Sequence, residues 1–580
     1  MTESLKMFKA WQNGVSATER AELDAIESSS QEIEERFYTE LAFGTAGMRG
    51  EVGLGTYRMN TYTVRRATAG VASYIVSLGA EAMARGVVIA CDTRRFSKEF
   101  AVNVAEVLSY YKVKGYIFEN VRPVPLCSYA VRHLNAIAGI MITASHNPKE
   151  YNGYKVYGED GAQMAPEPTA GVVKFIETFE DYFSVPYEAV PNSHNIAGLD
   201  NVALNDYITV IGQTIDEAYY DKILRLSLSP ELTAEYGDKI KLVYTPVHGT
   251  GYVPVTTVFN RLGIAADVVE AQAMPDTEFS TVAVPNPENA DTLSMGMAMG
   301  DSIKADVVLG TDPDADRLGV AVRDDSGKFI LLTGNQIGVL LLDYILTKLT
   351  EDKKMPKNPA IVRSFVTTTL ADRMATKFGA TSFSVLTGFK YIGEKIKEWE
   401  VSGEYEYVFG FEESFGSLRG THARDKDAVV ASMLFAEMVI YHSVNKRSIY
   451  QRLQQIFAEY GYYVEKNESI SYKGISGMSD MAAVMAKLRT QTITKVGDEK
   501  VEFVADYKKL TVINRDGTTS ALTTPPADAI YLGLNDGQFI CIRPSGTEPK
   551  LKLYVLVYAD DAESANLKAQ TLISALKADL

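Results

Sequence analysis

The chain has 580 residues, 46% of them hydrophobic and 23% charged, enough for several cores at roughly 150 residues per domain. That composition excludes a disordered, collagen-like or small disulfide-framed protein. With 58 Lys+Arg against 74 Asp+Glu the net charge is −16, the wrong balance for non-specific nucleic-acid binding, although a local basic pocket can persist within a negative surface.

At the N-terminus, MTESLKMFKAWQNG has no apolar h-region, and the longest apolar stretches, such as 136–144, fall far below the ~20 residues that span a bilayer. A cytoplasmic protein with no membrane and no nucleic-acid partner is expected. Cys91, Cys127 and Cys541 are scattered and lack any CxxC or zinc spacing, so each is expected as a small buried apolar residue in a reducing compartment.

Along the chain, β-rich apolar runs alternate with helical patterns. AGVASYIVSLGAEAMARG (69–86) predicts a helix and VVIACD (87–92) the strand after it; EFAVNVAEVLSYYKVKG (99–115) and YIFEN (116–120) repeat the unit. KIKLVYTP, ADVVLGTD and FILLTGNQIGVLLLDYILTKL carry the alternation onward, the pattern of layered α/β domains. In the C-terminal third, YVEKNESISYK, KVEFVADYKKLTVINRDG and QFICIRPSGTEPKLKLYVLVYA crowd several strands before a terminal helix, AESANLKAQTLISALKADL, which predicts an α+β domain. Polar stretches near 190–205, 323–328 and 443–460 mark boundaries. The expected fold is α/β with four domains, 1–205, 206–325, 326–448 and 449–580, the first three layered with mixed sheets and the last α+β.

Four β-runs end in polar, glycine-bearing loops, and ligands of open α/β sheets sit outside the carboxyl ends of strands. The first, IAGIMITASHNPKEYNGYKVY (137–157), delivers Ser145 as a nucleophile candidate, with the His146 imidazole and the Lys155 ammonium near it in sequence. A serine requires such activation, or a strongly electrophilic partner, at neutral pH. No GxSxG elbow occurs, which argues against an α/β-hydrolase; a plain Ser/Asn/Pro turn is the alternative.

The second loop, ADVVLGTDPDADRLGVAV (305–322), lets Asp312, Asp314 and Asp316 converge on one hard divalent cation, Mg²⁺ or Mn²⁺. An EF-hand is excluded by Arg317 and Arg323 at its required Gly and Glu positions. Three acids this close repel one another without a cation, which disfavours a merely solvated turn. The third loop, YEYVFGFEESFGSLRGTHARDKDAVVA (405–431), sets Glu412, Glu413 and Ser414 as acceptors for adjacent hydroxyls, as on a sugar, with His422, Arg424 and Lys426 following. In the fourth, QFICIRPSGTEPKLKLY (538–554), Arg543 can bind phosphate oxygens bidentately while Ser545, Gly546 and Thr547 form an anion nest; a Pro-Ser-Gly β-turn is the alternative. Together these loops describe phosphoryl transfer on a phosphorylated polyol. There is no GxxxxGK(S/T), so the phosphate donor is expected to be the enzyme or the substrate.

TASHNP, DPDADR, GFEESFG and RPSGTEP, in that order, with GTAGMRG (44–50) near the start, resemble the motifs of the α-D-phosphohexomutase superfamily over essentially the whole chain. GTAGMRG and DPDADR are most similar to its phosphoglucomutase-2 type branch, which includes bacterial phosphoglucomutases and animal phosphopentomutase-like enzymes. The resemblance implies four domains around a central cleft, each giving one loop. It implies that Ser145 is carried as phosphoserine and that Asp312, Asp314 and Asp316 bind Mg²⁺ together with its phosphoryl oxygen. By the same resemblance Arg49 and Arg317 lie beside that site, Thr387 and Gly388 of LTGFKYIG lie near the sugar's O3, and Glu412 and Ser414 grip ring hydroxyls. Lys426 then fits an acid/base lysine, and Arg543, Ser545, Gly546 and Thr547 fit the phosphate loop. Two departures stand out: Pro313 and Ala315 replace glycines between the aspartates of many relatives, and Phe411 precedes the glutamates where some relatives have Gly.

The implied activity is a phosphoglucomutase, interconverting α-D-glucose 1-phosphate and glucose 6-phosphate through phospho-Ser145, with Lys155 or Lys426 as base. Mg²⁺ is the expected cofactor, glucose 1,6-bisphosphate the intermediate and activator, and a small sugar phosphate the partner of a monomer or weak homodimer. The alternatives are a phosphopentomutase, a phosphomannomutase, a phosphatase, or a non-catalytic sugar-phosphate sensor on the same fold.

Overall fold

The computed structural model describes residues 2–472, 477–545 and 550–579. Among these, four large sheets succeed one another along the chain. The first has seven strands, with Ala138–Ile142, Val87–Cys91, Gly115–Phe118 and Ile208–Ile211 parallel at its centre and antiparallel strands at both edges. Val87–Cys91 and Ala138–Ile142 are buried at every position. Helices cover both faces of such a strand, so neither face calls for polar residues and the sequence reads as an unbroken apolar run.

The second sheet pairs Val307–Thr311 parallel with Leu242–Thr245 and antiparallel with Leu318–Arg323. In the third, Thr381–Val385, Pro359–Ser364 and Glu406–Phe411 run parallel and the short Ser417–Leu418 runs antiparallel. The fourth, of seven strands, is antiparallel throughout and packs the helices Gly477–Thr490 and Ala562–Asp579 on an apolar face. Three mixed α/β layers and an α+β fourth domain are thus the architecture that the alternation predicts.

The differences have local causes. The helix predicted over 69–86 starts earlier, at Thr61, because Asn60 and Thr63 form a reciprocal cap, and it breaks at Gly79 into Thr61–Leu78 and Ala80–Arg85. The first sheet takes in Ile208–Ile211 and the second Phe329–Leu331, so each runs past the divisions expected at 205 and 325. In both places the polar stretch is a surface excursion from which the chain returns to the same sheet. Ahead of the first sheet, the helices Glu3–Gly14, Ala17–Asp24 and Ser30–Phe37 build a separate core around Phe8, Trp11 and Phe37, with Tyr182 joining it.

One apolar cluster runs through all four domains, from Tyr129 and Leu309 to Phe435 and Phe539. At its centre the helix Ala428–Val444 is apolar all round and buried along nearly its whole length, as a helix enclosed by other elements must be. No single helix among the described residues is long and apolar enough to cross a membrane. All three cysteines are free and buried.

Candidate active site

Ser145 lies just beyond the strand Ala138–Ile142, only 3% exposed, with φ 52° in the left-handed region. That conformation costs a non-glycine residue about 1–3 kcal/mol and persists where the surroundings over-determine it. Here the Ser145 amide donates to Thr143 Oγ1 (2.8 Å), whose hydroxyl donates to Asp92 Oδ2 (2.7 Å). The Ser145 hydroxyl donates to Asp312 Oδ2 at 2.9 Å and lies 3.2 Å from His146 Nδ1. The nucleophile candidate of the first domain therefore touches a carboxylate of the second. Burial, reinforced by the Arg317 and Arg49 charges, holds the His146 imidazole well below its usual pKa, so it is neutral at pH 7. Arg49 Nη1 donates to Asn147 Oδ1 at 2.8 Å, placing that arginine on the same turn.

The aspartate loop joins Val307–Thr311 to Leu318–Arg323 and is held from three sides. The carbonyls of Pro313, Asp314 and Ala315 accept from Thr250 N (2.8 Å), Val124 N (2.9 Å) and Ala428 N (3.1 Å), which belong to the second, first and third domains. Asp312 Oδ1 accepts the amides of Asp316 and Arg317, both at 3.0 Å. Ala315 sits at φ 50°, so this loop bears strain that glycine would relieve. Oxygens of Asp312, Asp314 and Asp316 lie within 4.8 Å of one another, and all three side chains are buried.

Two oxygens of these side chains, Asp314 Oδ1 and Asp316 Oδ1, have no hydrogen-bond partner among the described residues. A buried anionic oxygen without a partner is costly, and three convergent carboxylates suit a hard divalent cation, so the donor set fits a metal. Burial pushes Asp312 well above the usual carboxylate range, and the charges of Asp314 and Asp316 add to it. For Asp314 burial acts upward too, but the Lys155 ammonium overrides it and holds that carboxyl low.

Lys155 Nζ donates to Asp314 Oδ2 at 2.8 Å and stands 3.6 Å from Asp316 Oδ2. Lys426 Nζ stands 3.1 Å from Asp316 Oδ2 and donates to Asp425 Oδ1 at 2.9 Å. Burial alone would lower both lysines, but Asp314 and Asp316 raise Lys155, and Asp316 and Asp425 raise Lys426. Both are cations at neutral pH. Arg317 Nη1 pairs with Glu288 Oε1 at 2.5 Å and its Nε is 3.9 Å from Asp316 Oδ1.

On the third domain, Glu412 Oε1 accepts from Gly388 N at 2.8 Å, which joins the two loops expected around a sugar. Gly388 has φ 113°, a conformation for which glycine is suited. Glu413 is taken up within its own domain by the Ser364 and Thr367 hydroxyls, both at 3.1 Å, while Ser414 stays half-buried beside it. Burial, with the Glu413 charge adding, pushes Glu412 up to about 7. His422 and Arg424 serve the loop itself. His422 Nε2 lies 2.7 Å from Asp427 Oδ2, and Asp427 caps the helix Ala428–Val444; Arg424 Nη1 donates to Thr421 O at 2.5 Å.

Arg543 Nη1 donates to Thr387 Oγ1 at 2.5 Å, and Thr387, Arg543 and Ser545 line one cavity with Phe365 and Met481. Gly546 and Thr547 lie outside the described residues. Lys390 Nζ reaches back to Thr45 Oγ1 of the GTAGMRG segment at 3.1 Å. Loops from all four domains therefore meet.

Motif reading misses Lys552, which stands directly opposite Arg543 in the antiparallel pair and so puts a second cation on the same face. It also misses Asp92 and Arg94, although the polar DTR at the carboxyl end of VVIACD is the kind of strand end at which such residues are sought.

Four phosphoglucomutase/phosphomannomutase patterns match in order: alpha/beta/alpha domain I over residues 40–183, domain II over 217–327, domain III over 333–460 and the C-terminal domain over 495–573. A phosphoglucomutase of Staphylococcus epidermidis is 36% identical over 537 residues, covering 92% of this chain and 93% of that protein. One from Staphylococcus aureus is 34% identical over 550 residues, covering 94% and 95%. In fold, the open form of the exocytosis-sensitive phosphoprotein parafusin (a phosphoglucomutase) from Paramecium superimposes with a TM-score of 0.67 at 17% identity, covering 93% of this chain and 94% of that one.

Proposed function

From the premise that the chain belongs to the phosphoglucomutase/phosphomannomutase branch of the α-D-phosphohexomutase superfamily, and is an enzyme of isomerase type, we propose that it interconverts α-D-glucose 1-phosphate and glucose 6-phosphate. The observation that carries this reading is the 2.9 Å bond from the Ser145 hydroxyl to Asp312 across two domains. It sets a carrier oxygen against a buried acidic cluster, while Thr387 of the third domain and Arg543 of the fourth meet one another. The naming of the curated relatives as phosphoglucomutases supports glucose as the sugar.

Phospho-Ser145 gives its phosphoryl group to the free 6-hydroxyl of glucose 1-phosphate: the P–O bond to Ser145 breaks as the bond to O6 forms. Asp312, Asp314 and Asp316 would hold Mg²⁺, which when bound would offset charge on the transferring phosphoryl group. Lys155, Lys426, Arg49 and Arg317 supply further positive charge there. The proton that O6 loses ends on Ser145 Oγ as the P–O bond breaks, while Lys426, kept charged by Asp316 and Asp425, steadies the reacting oxygens. Glu412 and Ser414 hold ring hydroxyls beside Thr387 and Gly388, and Arg543 with Ser545 holds the phosphate that is not reacting. The glucose 1,6-bisphosphate so formed turns over and returns its other phosphate to Ser145, leaving glucose 6-phosphate. His146, being neutral, orients the serine oxygen. The enzyme acts in the cytoplasm on a small sugar phosphate, as a monomer or weak homodimer.

The test is a coupled assay on glucose 1-phosphate with and without a trace of glucose 1,6-bisphosphate, run beside mannose and ribose 1-phosphates. Priming by the trace compound and fastest turnover of glucose are expected; faster pentose turnover would refute the substrate assignment. Stoichiometric release of inorganic phosphate would refute the mutase reading.

Glu412 gives a pH dependence of definite sign. With its carboxyl raised to about 7, it is protonated below and ionised above, and hydroxyl donors favour the ionised form. KM should therefore fall as pH rises from about 6 to about 8, by up to about tenfold over that range. The substrate phosphate titrates near pH 6 as well. Glu412→Gln keeps that contribution and should lose the rest; a profile unchanged by the substitution would contradict the assignment.

A further inference from the structure

Resting on the reading of Ser145 as phosphoryl carrier, we propose that Arg94 is a positioning residue for that serine, and that the second-domain segment 274–281 is a strap holding Arg94 in place. Arg94 is buried beneath the Ser145 turn. Its Nη2 donates to the carbonyls of Ser145 and Asn147, each at 2.5 Å, and its Nη1 to those of Pro148 (2.7 Å) and Tyr151 (3.0 Å). Four carbonyls of one turn thus converge on one guanidinium. Only a planar fork with divergent N–H bonds can serve them together.

The same segment grips the other side of Ser145. Asp92 Oδ1 accepts the Arg94 amide (2.9 Å) and the Ser97 hydroxyl (2.7 Å). Asp92 Oδ2 accepts the Thr143 hydroxyl, whose oxygen in turn receives the Ser145 amide. Both peptide units flanking Ser145 are therefore fixed, its carbonyl by Arg94 and its amide through Thr143 and Asp92. This double hold accounts for a non-glycine residue at φ 52°, and it aims Oγ at Asp312.

The second domain closes the arrangement. The Phe279 ring, 1% exposed, lies 5.1 Å from the Arg94 guanidinium carbon. Glu278 pairs with Arg95 and with Lys149, the latter at 3.2 Å, so the strap grips both segments of the first domain. His248 ties the strap at both ends, its Nδ1 3.1 Å from Met274 O and its Nε2 2.8 Å from Thr281 Oγ1. His248 belongs to TPVHGTG, where Val247 and His248 stand at φ 47° and 59°. A β-branched residue in that region is a true outlier. Two residues on, Thr250 N donates to Pro313 O of the aspartate loop, and a Cβ on Gly249 would meet Pro313 Cα at 2.5 Å. One turn of the second domain therefore fixes both the aspartate loop and the strap, so Ser145 and Asp312 are registered from one frame.

The test uses full-length Arg94→Lys and Phe279→Leu, loaded with labelled glucose 1,6-bisphosphate and mixed with glucose 1-phosphate in a single turnover. A lysine ammonium carries three donors and cannot serve four carbonyls, and small misplacements of reacting atoms cost about 100-fold. The first-order transfer constant should fall about 100-fold in Arg94→Lys and about tenfold in Phe279→Leu, with KM within about threefold of the parent. A purely structural role would lower the amplitude, set by the folded fraction, and leave the rate constant alone. Transfer constants equal to the parent's in both variants, or a loss confined to KM, would overturn the proposal. If the unmodified enzyme never takes label on Ser145, the parent reading falls and this one with it; a labelled parent with unchanged variants sinks this one alone.

Discussion

Ser145→Ala is expected to lower interconversion by ~10⁴-fold or more while sugar-phosphate affinity moves less than about threefold. The side chain is nearly buried and its single oxygen is the atom hydrogen-bonded to Asp312, so the substitution removes the proposed phosphoryl carrier and little else. In the proposed reading binding rests on other loops, those of Glu412 and Thr387 in the third domain and of Arg543 in the fourth, which are joined to one another. No hydroxyl on Thr143 substitutes, because Thr143 Oγ1 is committed to Asp92 and to the Ser145 amide. The measurements are kcat in the primed assay, glucose 1-phosphate affinity by calorimetry, and label retained on the protein. Interconversion within about tenfold of the parent would remove Ser145 from the mechanism.

Asp314→Asn should be nearly as damaging, and its readout does not depend on catalysis. In the parent protein, Mg²⁺ at a hundred times its Kd should stabilise the native state by ~2.7 kcal/mol, because three buried carboxylates lose their mutual repulsion when a cation joins them. A chelator should reverse this and abolish activity together. In Asp314→Asn one charge of the cluster is gone and Lys155 loses its closest partner, the 2.8 Å carboxylate oxygen. Most of the Mg²⁺-dependent rise in melting temperature should disappear, with kcat down by ~10³-fold. A melting curve equally responsive to Mg²⁺ in the variant would show that the cation binds elsewhere.

Much of this site is legible in the residues alone because its chemistry is local. Apolar runs such as VVIAC and AGIMI encode two-sided burial directly, and their ends mark the loops. Three aspartates within five residues cannot avoid one another, so a cation seat follows from spacing. Glu412 belongs to a loop that the sequence already marks as polar and glycine-bearing, whereas Gly388 enters only through the family resemblance of LTGFKYIG.

Other features have no local signature. Arg94 reads as an ordinary loop arginine until the fold carries it 51 residues along to the Ser145 carbonyl. Phe279 reads as a loop aromatic until a second domain sets it over that arginine. The lysines show the clearest reversal. The family resemblance offers Lys155 or Lys426 as base, whereas the fold surrounds them with Asp314, Asp316 and Asp425 and so keeps both charged.

From the sequence by itself came the layered α/β architecture, the four loops and the donor set for a cation, since burial pattern and turn chemistry are written within a few residues. No spacing contains the meeting of Ser145 with Asp312 across 167 residues, which the family resemblance implies; only the tertiary structure decided which side chains hold it there, because domain packing fixes such pairings and the local fields that set charge states.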